Sequence, residues 1–128
     1  IVTEAHKRNR GVIALCHMSA PEAKASYEIN VKLSKNSKHK PLYQLFLKWA
    51  ISSEADGIIV GATYPKIISY CKKISGKELD IYSPGIGTQG GSIKKTITSG
   101  SDFLIVGRTI LGSKNPARTA KQLQLVSA

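Results

Sequence analysis

The sequence predicts a parallel α/β fold, because short apolar runs alternate with amphipathic helical patterns along its 128 residues. The apolar runs are continuous rather than alternating, which is typical of strands that are buried on both faces. Between them, apolar residues recur at helical spacing, as expected of helices that pack against a sheet. The predicted order is therefore the end of one helix followed by four strand–helix units.

The candidate strands are four apolar runs, each of which ends at a glycine, a serine or another polar residue. Three of them also begin directly after residues that favour turns. The runs lie at residues 12–16, 58–60, 81–82 and 103–106.

The candidate helices fill the gaps between these runs. Residues 1–10 are predicted to be the end of an earlier helix, and a short helix is predicted at about residues 92–99. The final helix begins at the N-cap Asn115, has Pro116 at its first helical position and continues to about residue 126. Two more helices are indicated by apolar stripes, which are Leu42, Leu45, Phe46, Trp49 and Ala50 in the first and Tyr64, Ile67, Ile68, Cys71 and Ile74 in the second.

The number of units suggests two architectures. Four strand–helix units are about half of a (β/α)8 barrel, which typically needs ~250 residues. A small, open, doubly wound sheet would show the same alternation, and periodicity does not separate the two. In either case residues 1–128 are expected to form one domain.

The composition favours a globular chain with anionic partners. Hydrophobic residues make up 41% of the chain, and no apolar run approaches the ~18 residues of a membrane span, so no membrane partner is expected. The net charge of +11 would attract nucleic acid or a phosphorylated metabolite, although lysine-rich surfaces also occur in proteins from hot habitats. The basic segment 34–40 is predicted to be a solvated loop, because it has no interleaved aromatic residues for base stacking.

The cysteine pattern indicates reduced thiols. Cys16 ends an apolar run and Cys71 lies in an apolar helical stripe, so both are predicted to be buried and reduced, as in a cytoplasmic protein. No Cys/His spacing resembles a zinc site.

The most informative segment is Ser-Pro-Gly-Ile-Gly-Thr-Gln-Gly-Gly at residues 83–91, which follows a predicted strand and leads into a helix. Glycines allow positive φ and a close approach of the backbone to a ligand, and N–H groups at the next helix N-terminus face an anion. Gln89 can offer an amide donor to a phosphate oxygen. A glycine-rich turn without a ligand is the alternative, but four glycines within residues 85–91 are an excess for a simple turn.

Two other segments follow predicted strands at the same edge of the sheet. Gly107 and Arg108 come after the last strand, where the guanidinium could hold a phosphate. Taken alone, this motif is more typical of a surface arginine, but the glycine-rich loop one strand earlier favours a phosphate site. Ser19 follows the first strand. Its hydroxyl could bind a polar ring edge, or it could cap a helix, since Glu22 stands three residues on as in a capping box.

Together these segments resemble the orotidine 5′-monophosphate decarboxylases, most closely the archaeal branch. The resemblance rests on residues 83–91, on Ile-Val-Gly-Arg at 105–108 and on Met-Ser-x-Pro at 18–21, while residues 57–63 resemble the family's sixth strand and its loop. It covers roughly residues 11–124. It implies that the chain is the C-terminal half, about four βα units, of a (β/α)8 TIM barrel.

The resemblance also implies a role for each matched residue. Ser19 would bind the amide edge of a pyrimidine, and Gln89 would contact the phosphate and reach toward Ser19. Arg108 would clamp the phosphate with help from the Gly107 backbone. A mobile loop would close over the nucleotide, with members Pro84, Gly85, Ile86, Gly87, Thr88 and Gly90.

The family's activity follows from the same resemblance. Its enzymes convert orotidine 5′-monophosphate to UMP without a metal or cofactor, as homodimers, and phosphate binding remote from the reacting centre helps to close the site. This chain departs from the pattern in Ala20, where most members have His, and in a longer segment at about 26–44.

The family's catalytic Asp-x-Lys-x-x-Asp motif is absent. None of Asp56, Asp80 and Asp102 has a Lys two residues later, so no catalytic residue is expected in this chain. The motif belongs to the N-terminal half of the barrel. This chain is therefore not expected to decarboxylate alone, and its two unpaired sheet edges should pair with that missing half or with a second copy.

Two other functions stay open. One is another phosphate-binding barrel lyase, such as a sugar-phosphate lyase, against which the Gln89 loop argues. The other is a basic nucleic-acid-binding module, which predicts steeply salt-dependent binding to polynucleotides.

Overall fold

A computed structural model describes residues 1–32, 35 and 37–127 of the chain. Residues 34 and 36 of the loop predicted at 34–40 lie outside the described residues. In chain order the elements are α1 (Val2–His6), β1 (Ile13–His17), α2 (Ala23–Tyr27), β2 (Asn30–Val31), β3 (Lys40–Pro41), α3 (Leu42–Ser52), β4 (Gly57–Val60), α4 (Pro65–Ser75), β5 (Asp80–Pro84), α5 (Ile93–Thr98), β6 (Phe103–Ile105), α6 (Arg108–Leu111) and α7 (Pro116–Ser127).

The central sheet confirms the predicted parallel α/β fold. Within the described residues it has four parallel strands in the order β1-β4-β5-β6, so strands that are consecutive in the βα series are neighbours. This is the order of a barrel segment that has not closed, rather than that of a doubly wound sheet, whose strand order reverses at a switch point. The short strands β2 and β3 form a separate antiparallel pair within the segment at about 26–44, which is predicted to be longer than in most family members.

The helix ends follow local chemistry. The Asn115 Oδ1 atom accepts a hydrogen bond from the Arg118 backbone N–H at 3.0 Å, which confirms the predicted N-cap before Pro116. Ser92 caps α5 in the same way, accepting from the Lys95 N–H. The sequence did not predict α2 or α6, which have five and four residues and are too short to show a helical period.

The main core lies between the sheet and the helices α3 and α4. It is formed by buried side chains of both layers, among them Cys16, Leu47, Ile58, Val60, Ile68, Cys71 and Ile81. The predicted stripes were wrong in part: Trp49 is 54% exposed and Ile74 is 53% exposed, whereas Leu47 is buried. The buried side of α3 is wider than one stripe, because α3 contacts α2 and α4 as well as β1 and β4.

Both cysteines are buried and free, as predicted. A hydrogen bond with Cys71, and then burial, raises the pKa of the Cys16 thiol well above its ordinary value. The Cys16 thiol is therefore protonated, and both cysteine side chains are packed as parts of the apolar core.

The opposite face of the sheet is uncovered, which contradicts the prediction that all four strands are buried on both faces. The register aligns Leu15, Ile59, Tyr82 and Phe103 in one row across the four strands. The Tyr82 and Phe103 rings stack with centroids 4.8 Å apart. Yet Leu15 is 46% exposed and Phe103 is 49% exposed, because no other described element of this chain covers them.

Candidate functional site

The loops that follow β1, β5 and β6 meet at the carboxyl edge of the sheet. Parallel strands end at a common edge, which is where ligands bind in α/β folds. The structure thus brings the three predicted segments together. The loop after β4, which the sequence did not single out as a binding segment, packs against the loop after β1.

Ser19 and Gln89 are in direct contact, although 70 positions separate them in the sequence. The Ser19 hydroxyl donates to the Gln89 Oε1 atom at 2.8 Å. This bond occupies the carbonyl end of the amide and leaves the Gln89 nitrogen available as a donor. The N-cap of α2 is Glu22, without a side-chain cap bond, so the alternative of Ser19 as a helix cap is wrong.

The glycine-rich loop can adopt its conformation because Gly85 and Gly91 have no side chains, and a Cβ at either position would clash with its neighbours. Gly85 has φ +98°, and a Cβ there would lie 2.7 Å from the Ser19 Cβ and 2.8 Å from the Gln89 Oε1. A Cβ at Gly91 would lie 2.6 Å from the Gly85 carbonyl oxygen, which accepts the Gly91 N–H at 3.0 Å. Ile86 is buried within this loop, whereas Thr88, Gln89 and Gly90 are exposed at its tip.

The same loop touches the start of α6. A Cβ on Gly87 would lie 2.6 Å from the Thr109 Oγ1 atom, so the loop backbone lies against the residue that follows Arg108. Gly107 is the N-cap of α6, and Arg108 is exposed at its first position. Arg108 forms no ion pair with a carboxylate of residues 1–32, 35 or 37–127, so its guanidinium is open to an anion.

Thr109 was not singled out from the sequence. Its Oγ1 atom is buried and has no hydrogen-bond partner in the described part of the chain. Nothing in the local sequence separates this threonine from a surface one, and only the packing of Gly87 against it reveals its place.

The site offers hydrogen-bond donors from Ser19, Gln89 and the loop backbone, together with the Arg108 guanidinium. Among the described residues, no cluster of three or more His, Cys, Asp or Glu side chains could hold a metal ion. No helix in the same part of the chain is long and apolar enough to cross a membrane. The arrangement of Gln89, the Gly107 backbone and Arg108 suits an anion such as a phosphate, and Ser19 lies beside it.

Fold and site together define a half-barrel of parallel βα units whose carboxyl-edge loops bring together hydrogen-bond donors and the Arg108 guanidinium. The chain belongs to the orotidine 5′-phosphate decarboxylase / HUMPS family, which matches residues 1–123. It is 40% identical over 84 residues to the orotidine 5′-phosphate decarboxylase of Methanococcoides burtonii. The aligned region covers 66% of this chain and 39% of that protein. The Thermococcus kodakarensis decarboxylase is 37% identical over 84 residues, with the same coverage of both chains.

Solved structures of the same family agree with the half-barrel. The Methanocaldococcus jannaschii decarboxylase, solved in complex with the inhibitor BMP, superposes with a TM-score of 0.80 at 28% identity, covering 97% of this chain and 52% of that chain. The Pyrococcus horikoshii OT3 decarboxylase gives 0.74 at 30% identity, with coverage of 98% and 54%. The chain therefore spans about half the length of these structures and less of the curated relatives. Its fold is half of a TIM barrel.

Proposed function

We propose that this chain supplies the phosphate- and pyrimidine-binding half of an orotidine 5′-phosphate decarboxylase, which forms UMP in pyrimidine biosynthesis. The observation that carries the proposal is the hydrogen bond from Ser19 to Gln89. It joins a hydroxyl that can read the edge of a base to an amide that can hold a phosphate, which suits a nucleotide better than a sugar phosphate.

The phosphate would lie between Gln89 and the start of α6. There the Arg108 guanidinium and the Gly107 backbone supply charge-assisted hydrogen bonds, and the loop of Gly85, Gly87 and Gly90 can approach closely because all three have positive φ. Ile86 and Thr88 belong to the same loop, which would close over the nucleotide, whereas Pro84, predicted to be in this loop, is the last residue of β5. The net charge of +11 would raise the local concentration of any anionic ligand.

The rest of the enzyme would cover the exposed face of the sheet. We infer that the missing N-terminal half of the barrel packs on the row of Leu15, Ile59, Tyr82 and Phe103 and supplies the Asp-x-Lys-x-x-Asp motif. Barrel interiors are packed with such layers of side chains. The complete enzyme would be a homodimer that needs no cofactor, and its two buried free thiols favour a cytoplasmic location.

UMP binding by wild type, Arg108→Ala and Lys38→Ala, measured by calorimetry, tests the proposal. Arg108→Ala should weaken UMP binding about 10- to 100-fold, because a charge-assisted hydrogen bond contributes ~1.5–3 kcal/mol. Lys38 is exposed in the segment between β2 and β3, and Lys38→Ala should change little. Equal losses in both variants, or tight and salt-sensitive binding to polynucleotides without UMP binding, would favour a nucleic-acid-binding module instead.

A further inference from the structure

Three successive backbone carbonyls around Ser19 each accept a hydrogen bond from a side chain. The Met18 carbonyl pairs with the His17 Nδ1 atom at 2.8 Å. The Ser19 carbonyl accepts from the Thr63 hydroxyl at 2.9 Å. The Ala20 carbonyl accepts from the Tyr64 hydroxyl at 3.0 Å. Surface loops are generally mobile, so three side-chain partners on successive carbonyls restrain this segment.

The His17 side chain reaches the Met18 carbonyl because strand β1 is irregular at its C-terminal end. The register with β4 shifts between Leu15 and His17, as in a β-bulge, and both Cys16 and His17 are buried. The imidazole packs against the rings of Tyr27, Tyr43 and Tyr64, with centroids 5.4, 6.0 and 4.3 Å away. Because a carbonyl only accepts, the proton of this bond must lie on Nδ1.

The outer nitrogen of the His17 ring faces an acid. Its Nε2 atom lies 3.5 Å from a Glu28 carboxylate oxygen but has no hydrogen-bond partner among the described residues. The ring is therefore held mainly by the Met18 carbonyl and by the aromatic side chains around it.

Thr63 and Tyr64 reach the same segment from the loop after β4. This loop lies directly against Ser19, since a Cβ on Gly61 would come within 2.4 Å of the Ser19 Cα. Burial, with the Glu28 and Glu22 carboxylates as lesser causes, raises the pKa of the Tyr64 phenol above its ordinary value. The phenol therefore remains a hydrogen-bond donor at neutral pH.

We propose that His17, Thr63 and Tyr64 are positioning residues that aim the Ser19 hydroxyl at Gln89, and that they thereby set the affinity of the site for the pyrimidine part of its ligand. Their hydrogen bonds go to the backbone on both sides of Ser19, and none found among the described residues joins them to Gln89, Gly107 or Arg108. The inference rests on the proposed function, because it concerns the base-binding half of the same site. It also gives the segment Gly61–Tyr64 a role that its sequence alone does not reveal.

The first experiment compares two replacements of one residue. In His17→Asn the side-chain nitrogen can take the place of Nδ1, whereas in His17→Gln it takes the place of Nε2 and cannot reach the Met18 carbonyl. His17→Gln should weaken UMP binding roughly tenfold, as expected for the loss of one hydrogen bond, and His17→Asn should restore most of it. Binding of ribose 5-phosphate, which has no base, should be equal in both variants and in wild type. His39→Gln, at an exposed histidine, is the matched control.

Two further variants guard against a failure of His17→Gln to fold. Thr63→Val and Tyr64→Phe each remove a single hydroxyl with little change of shape, and each should also weaken UMP but not ribose 5-phosphate. Parallel losses for both ligands, or no rescue by His17→Asn, would show that these residues only support the fold and would overturn the inference.

A measurement on the ligand-free protein separates this inference from the proposed function. In NMR spectra, His17→Gln, Thr63→Val and Tyr64→Phe should shift the Ser19 backbone amide and the Gln89 side-chain amide, whereas His17→Asn and His39→Gln should leave both in place. If these shifts occur but wild type binds no UMP, the positioning role stands and the proposed function fails. If the Gln89 amide does not respond, the positioning role fails whatever the ligand.

Discussion

The two faces of the four-stranded sheet carry similar side chains in opposite surroundings. On the face that packs against α3 and α4, Ile58, Val60 and Ile81 are all 0% exposed. On the other face, Ile13 and Leu15 are both 46% exposed. The strands carry apolar side chains on both faces of the sheet, yet the helices of this chain cover only one of the two faces. One face therefore packs the core of this chain, while the other is the surface on which we propose that the rest of a barrel packs.

The two faces should differ most in stability when the same residue type is truncated on each. Ile58→Ala should lower the free energy of unfolding by ~2–5 kcal/mol, because it removes buried methyl groups and leaves a cavity. Ile13→Ala, on the neighbouring strand but half exposed, should cost less than ~1 kcal/mol. Urea unfolding of both variants measures the two values. Equal losses would mean that the uncovered face is also packed in solution, for instance in a dimer.

A charge placed on the uncovered face tests whether that face binds the other four βα units. Leu15→Glu should change the stability of the chain alone by ~1 kcal/mol or less, because the new carboxylate remains in contact with water. It should abolish binding to the other four βα units supplied as a separate chain, since closing the barrel would bury that charge without a partner.

Ile74→Glu is the matched control, because Ile74 is similarly exposed but lies on α4, in the helical layer. Pull-down and sedimentation measure the association. If Leu15→Glu and wild type bind equally well, another surface joins the two halves, and the proposed packing on the sheet is wrong.

Most of the fold could be predicted from the sequence, because each element carries its own local signal. The four apolar runs became β1, β4, β5 and β6 within about two residues, and Asn115 with Pro116 marked the start of α7. The exposure of Leu15 and Phe103 could not be predicted, because an apolar strand looks the same whether or not its second partner is present. The exposed Trp49 was missed for a related reason, since a helical stripe does not say which neighbours the helix will have.

The loop residues of the candidate site could be predicted from the sequence, but the side chains that hold the Ser19 backbone in place could not. Glycine spacing and the position of Arg108 after a strand indicated the loops that meet at the candidate site, and resemblance suggested the contact between Ser19 and Gln89 that the structure shows. The side chains that hold Ser19 were missed, because Thr63 and Tyr64 lie 44 positions from the carbonyls they bind. His17 was missed because its place depends on a register shift that no pattern in the sequence announces.

The weakest change in stability is expected at α1, which has no buried residue and contacts the amino edge of the sheet through polar groups. Asp56 accepts the Val12 N–H at 2.6 Å and pairs with the His6 ring at 3.0 Å. The Val12 hydrogen bond, and then that of His6, lowers the pKa of Asp56 below its ordinary value of 3.8. Since the folded pKa is below the unfolded one, this stabilisation is present above about pH 4 and is lost as the pH falls toward the lowered value.

Asp56→Asn should therefore be slightly less stable than wild type at neutral pH and should lose less stability on acidification. Urea unfolding between about pH 7 and pH 3 measures both slopes. Asp80→Asn, at an exposed aspartate on the same edge of the sheet, is the control and should follow wild type. If the Asp56→Asn and wild-type curves are parallel throughout, the contacts of Asp56 contribute nothing to stability, and α1 is held by the partial packing of Val2 alone.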